Sequence, residues 1–380
     1  MSGTNLIRTT QADTSEGMID LAIGHPSPSL LPQDLIRRAA QHRLATDFSP
    51  YLQYGYETGD YYFRDALAEF LSRHYLMQVS QEDLFVSGGS SQALDLFCTV
   101  YTKPGDVVFV EEPTYFLALR IFRDHQLRIV SLPTDENGLD TGALQERLHG
   151  LTPVFLYTVP THQNPSGSTM PPDRRQRLIE LSLEKGFLIV ADEVYHLLTY
   201  GEKPPPPLAS FSGEGTVISL GSFSKILAPG LRLGWVQSSP KLLRPLAECG
   251  MLDSGGGLNP FVSALVLSAV QTGMLDSHLE QLRDQYGRRL QAMKLAIHGC
   301  LGSKVEYSQP KGGFFFWLRL NDGRDSATLL DTAKEHGTSF VPGSAFSAEE
   351  GLGDRLRLSF SYHPPETLKA GVQRLAESLF

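Results

Sequence analysis

Residues 217–232 read VISLGSFSKILAPGLR, an apolar run that predicts a β-strand, followed by a polar loop that carries Ser222, Ser224, Lys225 and Arg232. Two hydroxyls and a guanidinium suit a phosphate monoester because they supply charge-assisted hydrogen bonds of defined geometry. A lysine beside such an anion, and not needed to neutralise it, is free to form an imine with a carbonyl group. The stretch therefore predicts a strand that ends at an anion site with a reactive amine. An ordinary polar loop is the competing interpretation.

Two other interpretations of this lysine fit the sequence less well. Ser222 and Lys225 match the S-x-x-K spacing of serine acyl-enzymes, but no S-D-N or K-T-G segment follows. A phosphate-binding P-loop requires glycine at the position of Ser224 and Ser or Thr at the position of Ile226. Imine chemistry at Lys225 is therefore the favoured hypothesis for this segment.

Further short apolar runs alternate with helical patterns around this strand. Strands are predicted at residues 107–110, 128–132, 154–158, 187–191 and 234–237, and several are apolar on both faces, as strands covered on two sides should be. Helices are predicted from about residue 91 to 102 and from the proline pair 171–172 to residues 185–186. This order predicts an α/β fold with right-handed βαβ units and an open, mostly parallel sheet. Such sheets bind ligands outside the carboxyl ends of their strands.

The pattern changes near residue 275. Apolar residues recur at three- and four-residue intervals through residues 279–297, which predicts one long amphipathic helix. A strand at 314–320, a helix at 327–336, two short strands and a final helix follow. We expect three parts, namely an N-terminal segment (1–42) packed with the small domain, a large domain (43–277) and a smaller α+β C-terminal domain (278–380).

A second polar strand end follows the apolar residues 187–191, where Asp192, Glu193 and Tyr195 stand together. An apolar strand that ends in Asp-Glu is also typical of the Walker B element, but the chain contains no G-x-x-x-x-G-K-[ST] segment to accompany it. Asp192 could also cap the next helix. The functional hypothesis is that a buried carboxylate keeps a proton on a pyridine nitrogen, so that the ring withdraws electrons.

Two loops give weaker signals. The turn Gly88-Gly89-Ser90 opens a predicted helix, where free backbone amides form an anion site, although helix capping explains it equally well. The loop of residues 159–167 contains Asn164 before Pro165, and an X-Pro bond in the cis form would fix a carboxamide in place. An ordinary turn is the alternative for that loop.

A possible carboxylate site lies in the C-terminal part. Alternation through residues 355–360 puts Arg355 and Arg357 on one face of a strand. From such a face an arginine can bind a carboxylate with two parallel hydrogen bonds, or it can form surface ion pairs.

The composition limits the classes of function. A formal net charge of −9 argues against a protein whose main task is to hold phosphate backbones, so we expect no nucleic-acid partner. The cysteines Cys98, Cys249 and Cys300 show no metal-site spacing and imply no disulfide framework, and we predict no metal. The first twenty residues contain no secretory h-region, and the apolar runs are too short to span a bilayer. We therefore expect a soluble, cytoplasmic protein without a membrane partner.

The order of the motifs along the chain is more informative than any single motif. Together they resemble the fold-type-I, class I/II aminotransferases, and most closely the branch that includes 2-aminoadipate and kynurenine aminotransferases and the MocR regulator domains. The resemblance covers nearly the whole chain. The segments that carry it are LQYG (52–55), GSSQ (89–92), EPTY (112–115), QNPSG (163–167), DEVY (192–195), GSFSK (221–225), PGLR (229–232) and LRL (356–358).

The resemblance implies pyridoxal 5'-phosphate as cofactor and a large domain with a mostly parallel, seven-stranded sheet. It makes Lys225 the Schiff-base lysine, with Asp192 and Tyr195 as the other catalytic residues. The implied cofactor-binding residues, in which Tyr115 stacks on the ring and Asn164 contacts the ring oxygen, are Ser90, Ser91, Gln92, Tyr115, Asn164, Asp192, Tyr195, Ser222, Ser224, Lys225 and Arg232, with Tyr54 reaching the cofactor of the neighbouring subunit in a homodimer. The implied substrate-binding residues are Gly24, Asn164 and Arg357, with Arg357 on the α-carboxylate.

The resemblance further implies a ping-pong transfer of an amino group between an L-α-amino acid and a 2-oxo acid. Two positions depart from the family pattern. Ile226 stands where threonine is frequent, and the loop of residues 24–28 offers His25 but no arginine, so recognition of a distal carboxylate is not evident. The same residues would also serve a β-lyase, a decarboxylase or an oxidase. A ligand-binding module like the MocR domain is a further alternative, and it would require a helix-turn-helix segment upstream.

Overall fold

The computed structural model describes residues 17–45 and 49–379, so the expected absence of a leader concerns residues that lie mostly outside these ranges. Within them the strands are β1 (Ile19–Asp20), β2 (Leu84–Ser87), β3 (Val107–Glu112), β4 (Arg128–Asp135), β5 (Gly138–Leu139), β6 (Phe155–Thr158), β7 (Leu188–Asp192), β8 (Val217–Ser222), β9 (Gly234–Gln237), β10 (Val305–Glu306), β11 (Phe315–Leu320), β12 (Thr338–Ser339), β13 (Val341–Pro342) and β14 (Arg355–Ser359). The helices are α1 (Gln33–Leu44), α2 (Tyr61–Tyr75), α3 (Ser90–Tyr101), α4 (Phe116–Asp124), α5 (Thr141–Arg147), α6 (Pro172–Lys185), α7 (Phe223–Ile226), α8 (Pro240–Ala247), α9 (Gly250–Gly255), α10 (Pro260–Gln271), α11 (Met274–Cys300), α12 (Ser326–Glu335) and α13 (Pro365–Leu379).

The large sheet has the strand order β2-β9-β8-β7-β6-β3-β4-β5. Strands β8, β7, β6, β3 and β4 run parallel to one another, whereas β9 is antiparallel to both β8 and β2 and β5 is antiparallel to β4. The prediction of an open, mostly parallel α/β sheet is therefore confirmed. The sheet has eight strands instead of the expected seven, because β4 continues past Pro133 and pairs with the two-residue strand β5.

The two faces of this sheet belong to two apolar clusters. On one face Phe155, Tyr157 and Val190 join a cluster with residues of α3 and α4, and on the other face Leu156 and Ile189 join a cluster with residues of α5 and α6. Each fully buried large apolar side chain stabilises the fold by about 1.5–3 kcal/mol. Burial on both faces is the reason why these strands are continuous apolar runs in the sequence.

The C-terminal part forms a second, antiparallel sheet with the order β10-β11-β14-β13. The predicted long helix is confirmed as α11, and the apolar residues that defined its period are buried at positions 279, 282, 286, 290, 293 and 297. Helix α11 begins at Met274, so the predicted domain boundary between residues 277 and 278 falls in its first turn. Among the helices of residues 17–45 and 49–379, none combines the length and the apolar character of a membrane span.

The N-terminal residues divide between the two parts of the molecule. Strand β1 pairs in parallel with β12, and the backbone N–H of Ser359 donates to the carbonyl of Leu21. Helix α1 instead packs against α10, where His42 Nδ1 lies 3.1 Å from Ser268 Oγ. This arrangement departs from the expectation that residues 1–42 pack as one segment with the small domain. The physical reason is that α10 is apolar on nearly its whole circumference. The buried residues of α1, Leu35 and Ala39, pack on it and remove part of its apolar surface from water.

Candidate active site

The polar residues singled out in the sequence converge at the carboxyl ends of three neighbouring parallel strands. Asp192 is the last residue of β7, Lys225 lies in the short helix α7 after β8, and Asn164 lies in the loop after β6. Because β6, β7 and β8 are adjacent in the sheet, these three ends share one edge. This is the position where open α/β sheets bind their ligands.

Asp192 has a buried carboxylate, one oxygen of which accepts a side-chain hydrogen bond. Its Oδ2 accepts a hydrogen bond from the hydroxyl of Tyr157 at 2.8 Å, and its Oδ1 is buried without a hydrogen-bond partner in the described part of the chain. Burial raises the pKa of Asp192 to about 6, against the hydrogen bond from Tyr157, the nearby backbone N–H of Val194 and the charge of Lys225, which all lower it. A buried, unpaired carboxylate oxygen fits a cationic N–H donor from a ligand.

Glu193, the next residue, faces the opposite side of the sheet. Its carboxylate accepts hydrogen bonds from the backbone of Leu208 and Ala209 and from the hydroxyl of Ser219, and it lies 3.8 Å from the buried guanidinium of Arg175. Glu193 is therefore fully engaged in structural contacts. Only Asp192 of this acidic pair faces the site, which is not the arrangement that the Walker B interpretation requires.

Lys225 extends into the site between aromatic rings. Its Nζ donates to the carbonyl of Gly24 at 3.1 Å and lies 5.9 Å and 5.7 Å from the ring centres of Tyr195 and Phe314. Burial, and next the charge of Arg357, lower the pKa of Lys225 to about 8. The neutral fraction of this amine near neutral pH is therefore much larger than at its ordinary pKa, which favours a role as nucleophile or general base.

The lowered pKa of Lys225 predicts a pH-dependent stability. The pKa falls from its ordinary 10.5 to about 8, so the charged amine is penalised only in the folded state. That penalty is fully present below pH 8 and disappears as the pH rises towards 10.5. We therefore expect Lys225→Met to raise the Tm of the ligand-free protein most at neutral pH, and progressively less from about pH 8 upwards. If the Tm difference between Lys225→Met and the wild type does not change with pH, the lowered pKa of Lys225 is wrong.

The predicted anion-binding loops lie side by side. A Cβ built on Gly234 would approach the Cα of Gly89 to 2.8 Å and the carbonyl oxygen of Gly221 to 2.6 Å, so β9 holds both loops together. Gly89 has a φ of 99°, and a Cβ there would lie 3.1 Å from Nη2 of Arg232. Glycine at position 89 thus leaves space for the guanidinium beside the N-terminus of α3.

Two backbone amides of these anion-binding loops donate to side chains of the same loops. The N–H of Ser224 donates to Oγ of Ser222, and the N–H of Gly88 donates to Oε1 of Gln92. Ser90 and Ser91 occupy the first turn of α3, whose N-cap residue provides no side-chain hydrogen bond. Ile226 is buried, so the missing hydroxyl at that position is replaced by an apolar contact in the core. Hydroxyl-bearing residues, the N-terminus of α3 and the guanidinium of Arg232 therefore come together here, a combination that suits a phosphate.

Arg357 and Asn164 meet on the other side of the site. Arg357 donates from Nη1 to Oδ1 of Asn164 and from Nη2 to the carbonyl of Ala22, both at 2.9 Å. Its Nε is buried without a partner in the described part of the chain. Burial lowers the pKa of Arg357 to about 10, so the guanidinium stays charged at neutral pH. The peptide bond between Asn164 and Pro165 is cis.

Gly24 fits closely beside Arg357. A Cβ at Gly24 would lie 3.0 Å from the ring of Phe315 and 3.7 Å from Nη2 of Arg357. A larger residue here would need these neighbours to shift, so Gly24 keeps the space next to Lys225 and Arg357 open.

The three predicted site tyrosines have different environments. Tyr195 is buried, its ring contacts Phe314 and Phe315, and burial raises the pKa of its hydroxyl. Tyr115 is half-buried just before α4, and burial raises the pKa of its hydroxyl to about 12. Tyr54 is 83% exposed, which separates it from the buried part of its own chain's site.

Two residues beside the site are not among those predicted from the sequence. Tyr157 lies within a predicted apolar strand, and its register opposite Val190 puts it on the same face as Asp192. Glu111 is buried and accepts hydrogen bonds from Thr158 Oγ1 at 2.5 Å and from Gln163 Nε2 at 3.2 Å, next to Asn164. The signals in the sequence are a tyrosine inside an apolar strand and a glutamate directly after a predicted strand.

These features fit pyridoxal 5'-phosphate. The unpaired Oδ1 of Asp192 suits a protonated pyridine nitrogen, and Lys225 supplies an amine for the aldehyde. The space beside Gly89 and Arg232 suits the phosphate. Among the described residues, no cluster of three or more His, Cys, Asp or Glu side chains could hold a metal ion.

Comparison with known proteins gives extensive similarity. A family model described as aminotransferase class I and II matches residues 16–375. Aromatic-amino-acid aminotransferase 1 of Thermococcus litoralis is 37% identical over 372 residues, which cover 97% of this chain and 89% of that protein.

Two solved structures have the same fold at similar identity. The multiple substrate aminotransferase of Thermococcus profundus has a TM-score of 0.91 and 37% identity, covering 96% of this chain and 92% of that one. The α-aminoadipate aminotransferase of Thermus thermophilus, solved with N-(5'-phosphopyridoxyl)-L-leucine, has a TM-score of 0.87 and 34% identity, covering 97% and 95%. The similarity thus extends over both sheets.

Proposed function

Because this chain belongs to the class I and II aminotransferases, and is therefore a pyridoxal-phosphate-dependent enzyme of amino transfer, we propose specific roles for its site residues and a substrate class. The prediction of amino transfer is confirmed by the family, so the lyase, decarboxylase, oxidase and regulator alternatives are set aside. The observation that supports the roles best is the convergence of Lys225, the unpaired Oδ1 of Asp192 and the guanidinium of Arg357 in one buried site.

Each residue has a task that follows from its position. When bound, pyridoxal 5'-phosphate supplies an aldehyde for the amino group and a ring that delocalises the negative charge left at the substrate α-carbon. Nζ of Lys225 takes the proton from that carbon and returns a proton as a general acid, which typically contributes roughly 10² to 10⁴ in rate. Oδ1 of Asp192 keeps the ring nitrogen protonated. Asn164 and Tyr195 hydrogen-bond the ring oxygen, and Tyr115 stacks on the ring.

Two arginines bind two different anions, the cofactor phosphate and the substrate α-carboxylate. Arg232, with Ser90, Ser91, Gln92, Ser222 and Ser224, holds the cofactor phosphate at the N-terminus of α3. Arg357 binds the α-carboxylate of the amino acid through its planar fork. This division places the α-carbon of the substrate between Arg357 and Lys225.

We propose aromatic and large apolar L-amino acids as the preferred donors. Three rings surround the guanidinium of Arg357, namely those of Phe315 at 4.1 Å, Phe346 at 5.0 Å and Phe116 at 6.0 Å. The loop of residues 24–28 contains no arginine for a second carboxylate. The names of two similar proteins, an aromatic-amino-acid aminotransferase and a multiple substrate aminotransferase, are consistent with this preference.

A half-reaction screen tests the proposed substrate class. The purified enzyme is mixed with single amino acids, and conversion of the cofactor from its aldehyde form to its amine form is followed by absorbance. We expect kcat/KM for phenylalanine and tyrosine to exceed that for aspartate and glutamate by about 10- to 100-fold, the range that apolar pocket contacts supply. Faster conversion with the acidic amino acids would contradict the proposed preference but not amino transfer.

We also propose a homodimer in which Tyr54 completes the site of the partner subunit. Of the large apolar residues that are exposed in the described ranges, most lie in residues 52–62 and 251–261, two segments joined by the Gly55–Gly257 bridge. Those in the two segments are Leu52, Tyr54, Tyr56, Tyr61, Tyr62, Met251 and Phe261. An apolar surface of this kind is typical of an interaction site. A cytoplasmic location stays a prediction from the sequence.

A mixed-dimer experiment tests the contribution of Tyr54. Tyr54→Phe should raise the cofactor Kd by about 10-fold or more, the effect of one hydrogen bond to a charged group. In a dimer of one Tyr54→Phe chain and one Lys225→Ala chain, the intact lysine faces an intact partner tyrosine. We therefore expect this mixed dimer to bind cofactor at that lysine with wild-type affinity. Placing both substitutions in one chain and pairing it with wild type should weaken the remaining lysine site instead. Equal affinity in the two mixed dimers, or a monomeric enzyme by light scattering, would remove this proposal.

A further inference from the structure

Tyr157 contacts the proposed partner of the cofactor nitrogen from inside the protein. Its hydroxyl lies 2.8 Å from Oδ2 of Asp192, and both side chains are buried. Asp192 is an acceptor when ionised, so the phenol is the donor of this hydrogen bond.

The sheet fixes the position of this phenol. Tyr157 pairs with Val110 on one side and with Val190 on the other, in the interior of the parallel sheet. Val190 and Asp192 lie on the same face as Tyr157 because side chains alternate along a strand. The tyrosine ring packs against Phe122 with ring centres 5.5 Å apart and planes at 72°. The hydroxyl is therefore held at the carboxyl end of the neighbouring strand without help from a ligand.

This contact makes the two oxygens of Asp192 different. Oδ2 is occupied by Tyr157, and Oδ1 is buried without a partner in the described ranges. Burial favours the neutral acid and raises the pKa of Asp192, whereas the hydrogen bond from Tyr157 is the largest influence in the opposite direction. A phenol at Oδ2 therefore supports a negative charge that Oδ1 presents to a cationic donor.

We propose that Tyr157 is a positioning residue for the cofactor, which keeps Asp192 ionised and turned so that Oδ1 faces the pyridine nitrogen. The inference rests on the proposed role of Asp192 toward that nitrogen. It predicts that the tyrosine hydroxyl affects only ligands that carry a protonated ring nitrogen. A purely structural hydroxyl would affect all ligands of the site equally.

The experiment compares two ligands of the cofactor-free enzyme. One is pyridoxal 5'-phosphate, and the other is its analogue in which a C–H group replaces the ring nitrogen. Both ligands present the same aldehyde, ring oxygen and phosphate. The Kd of the analogue divided by the Kd of pyridoxal 5'-phosphate, called the Kd ratio below, therefore measures what the ring nitrogen contributes to binding. We expect Tyr157→Phe to raise the Kd of pyridoxal 5'-phosphate about tenfold, as loss of a hydrogen bond to a charged group should. The Kd of the analogue should hardly change, so the ratio falls about tenfold.

Tyr101→Phe is the matched control. Its hydroxyl donates to the carbonyl of Leu242 at 2.6 Å, at the far end of α3 from the site. Tyr101→Phe removes one phenolic hydrogen bond of similar length and should leave the Kd ratio unchanged. A lower Kd ratio in Tyr157→Phe but not in Tyr101→Phe would support the inference. The same decrease in both variants would overturn it.

Asp192→Asn separates failure of this inference from failure of the proposed function. If the ratio falls in Asp192→Asn but not in Tyr157→Phe, Asp192 keeps its role and the inference about Tyr157 is wrong. If Asp192→Asn leaves the ratio unchanged, the proposed role of Asp192 itself fails. If Tyr157→Phe does not fold, 3-fluorotyrosine introduced at position 157 alone provides a stronger donor of nearly the same size. The ratio should then rise above the wild-type value, and an unchanged ratio would count against the inference.

Discussion

Replacement of Lys225 with alanine should reduce amino transfer by at least about 10⁴-fold, because one side chain supplies both the nucleophile and the general base. The amine lies in a buried site with a pKa lowered to about 8, next to Gly24 and the aromatic rings of Tyr195 and Phe314. The purified variant should also lack the visible band that borohydride abolishes in the wild type. Single-turnover absorbance with phenylalanine measures the first effect, and a spectrum before and after reduction measures the second.

The controls for Lys225 distinguish chemistry from folding. Lys185→Ala removes an exposed lysine at the C-terminus of α6 and should leave both the band and the rate unchanged. Lys225→Arg keeps a cation at the site but forms no imine and retains its proton, so it should be as inactive as Lys225→Ala. Substantial activity in Lys225→Arg would show that the charge, and not the amine, is what the reaction uses.

The fold was predictable because its signals are local. Six predicted strands agree with β3, β4, β6, β7, β8 and β9 within a few residues, since strands covered on both faces are continuous apolar runs. The helix after the proline pair begins at Pro172 and ends before Gly186, which adopts a left-handed conformation with a φ of 75°. In these places the sequence positions of proline, glycine and apolar residues correspond directly to backbone geometry.

Contacts between distant segments were not predictable in the same way. Whether Tyr157 faces Asp192 depends on the register between β6 and β7, and a one-residue shift would turn it to the other face. The rings around Arg357 come from α4, β11 and the turn after β13, so no sequence window contains them together. The packing of α1 on α10 likewise joins segments more than 200 residues apart. Asp192 and Lys225 are predictable because they follow apolar strands, and Arg357 because it alternates along a strand, whereas the residues that hold them in place lie elsewhere.

Arg357→Ala should lower kcat/KM for phenylalanine by about 10² to 10⁴, the effect of losing two charge-assisted hydrogen bonds to a carboxylate. The loss should be seen mainly in KM, with the cofactor still bound, because Arg357 contacts Asn164 and Ala22 but none of the phosphate-binding residues. Arg357→Lys keeps the charge but loses the planar fork, so it should recover only part of the activity. Steady-state kinetics and the cofactor content of the purified variants measure these effects.

The control for this prediction lies on the same strand. Arg355 is two residues away on β14, partly exposed and 3.8 Å from Asp354, and Arg355→Ala should leave KM within about twofold because surface ion pairs contribute little. Comparison of phenylalanine with 2-phenylethylamine, which has the same ring but no carboxylate, isolates the proposed contact. If Arg357 binds the α-carboxylate, its removal should hardly change the slow reaction of the amine and should greatly reduce the wild-type preference for the amino acid. An equal loss with both substrates would mean that Arg357 acts through Asn164 on the cofactor, and its assignment as the carboxylate-binding residue would then be wrong.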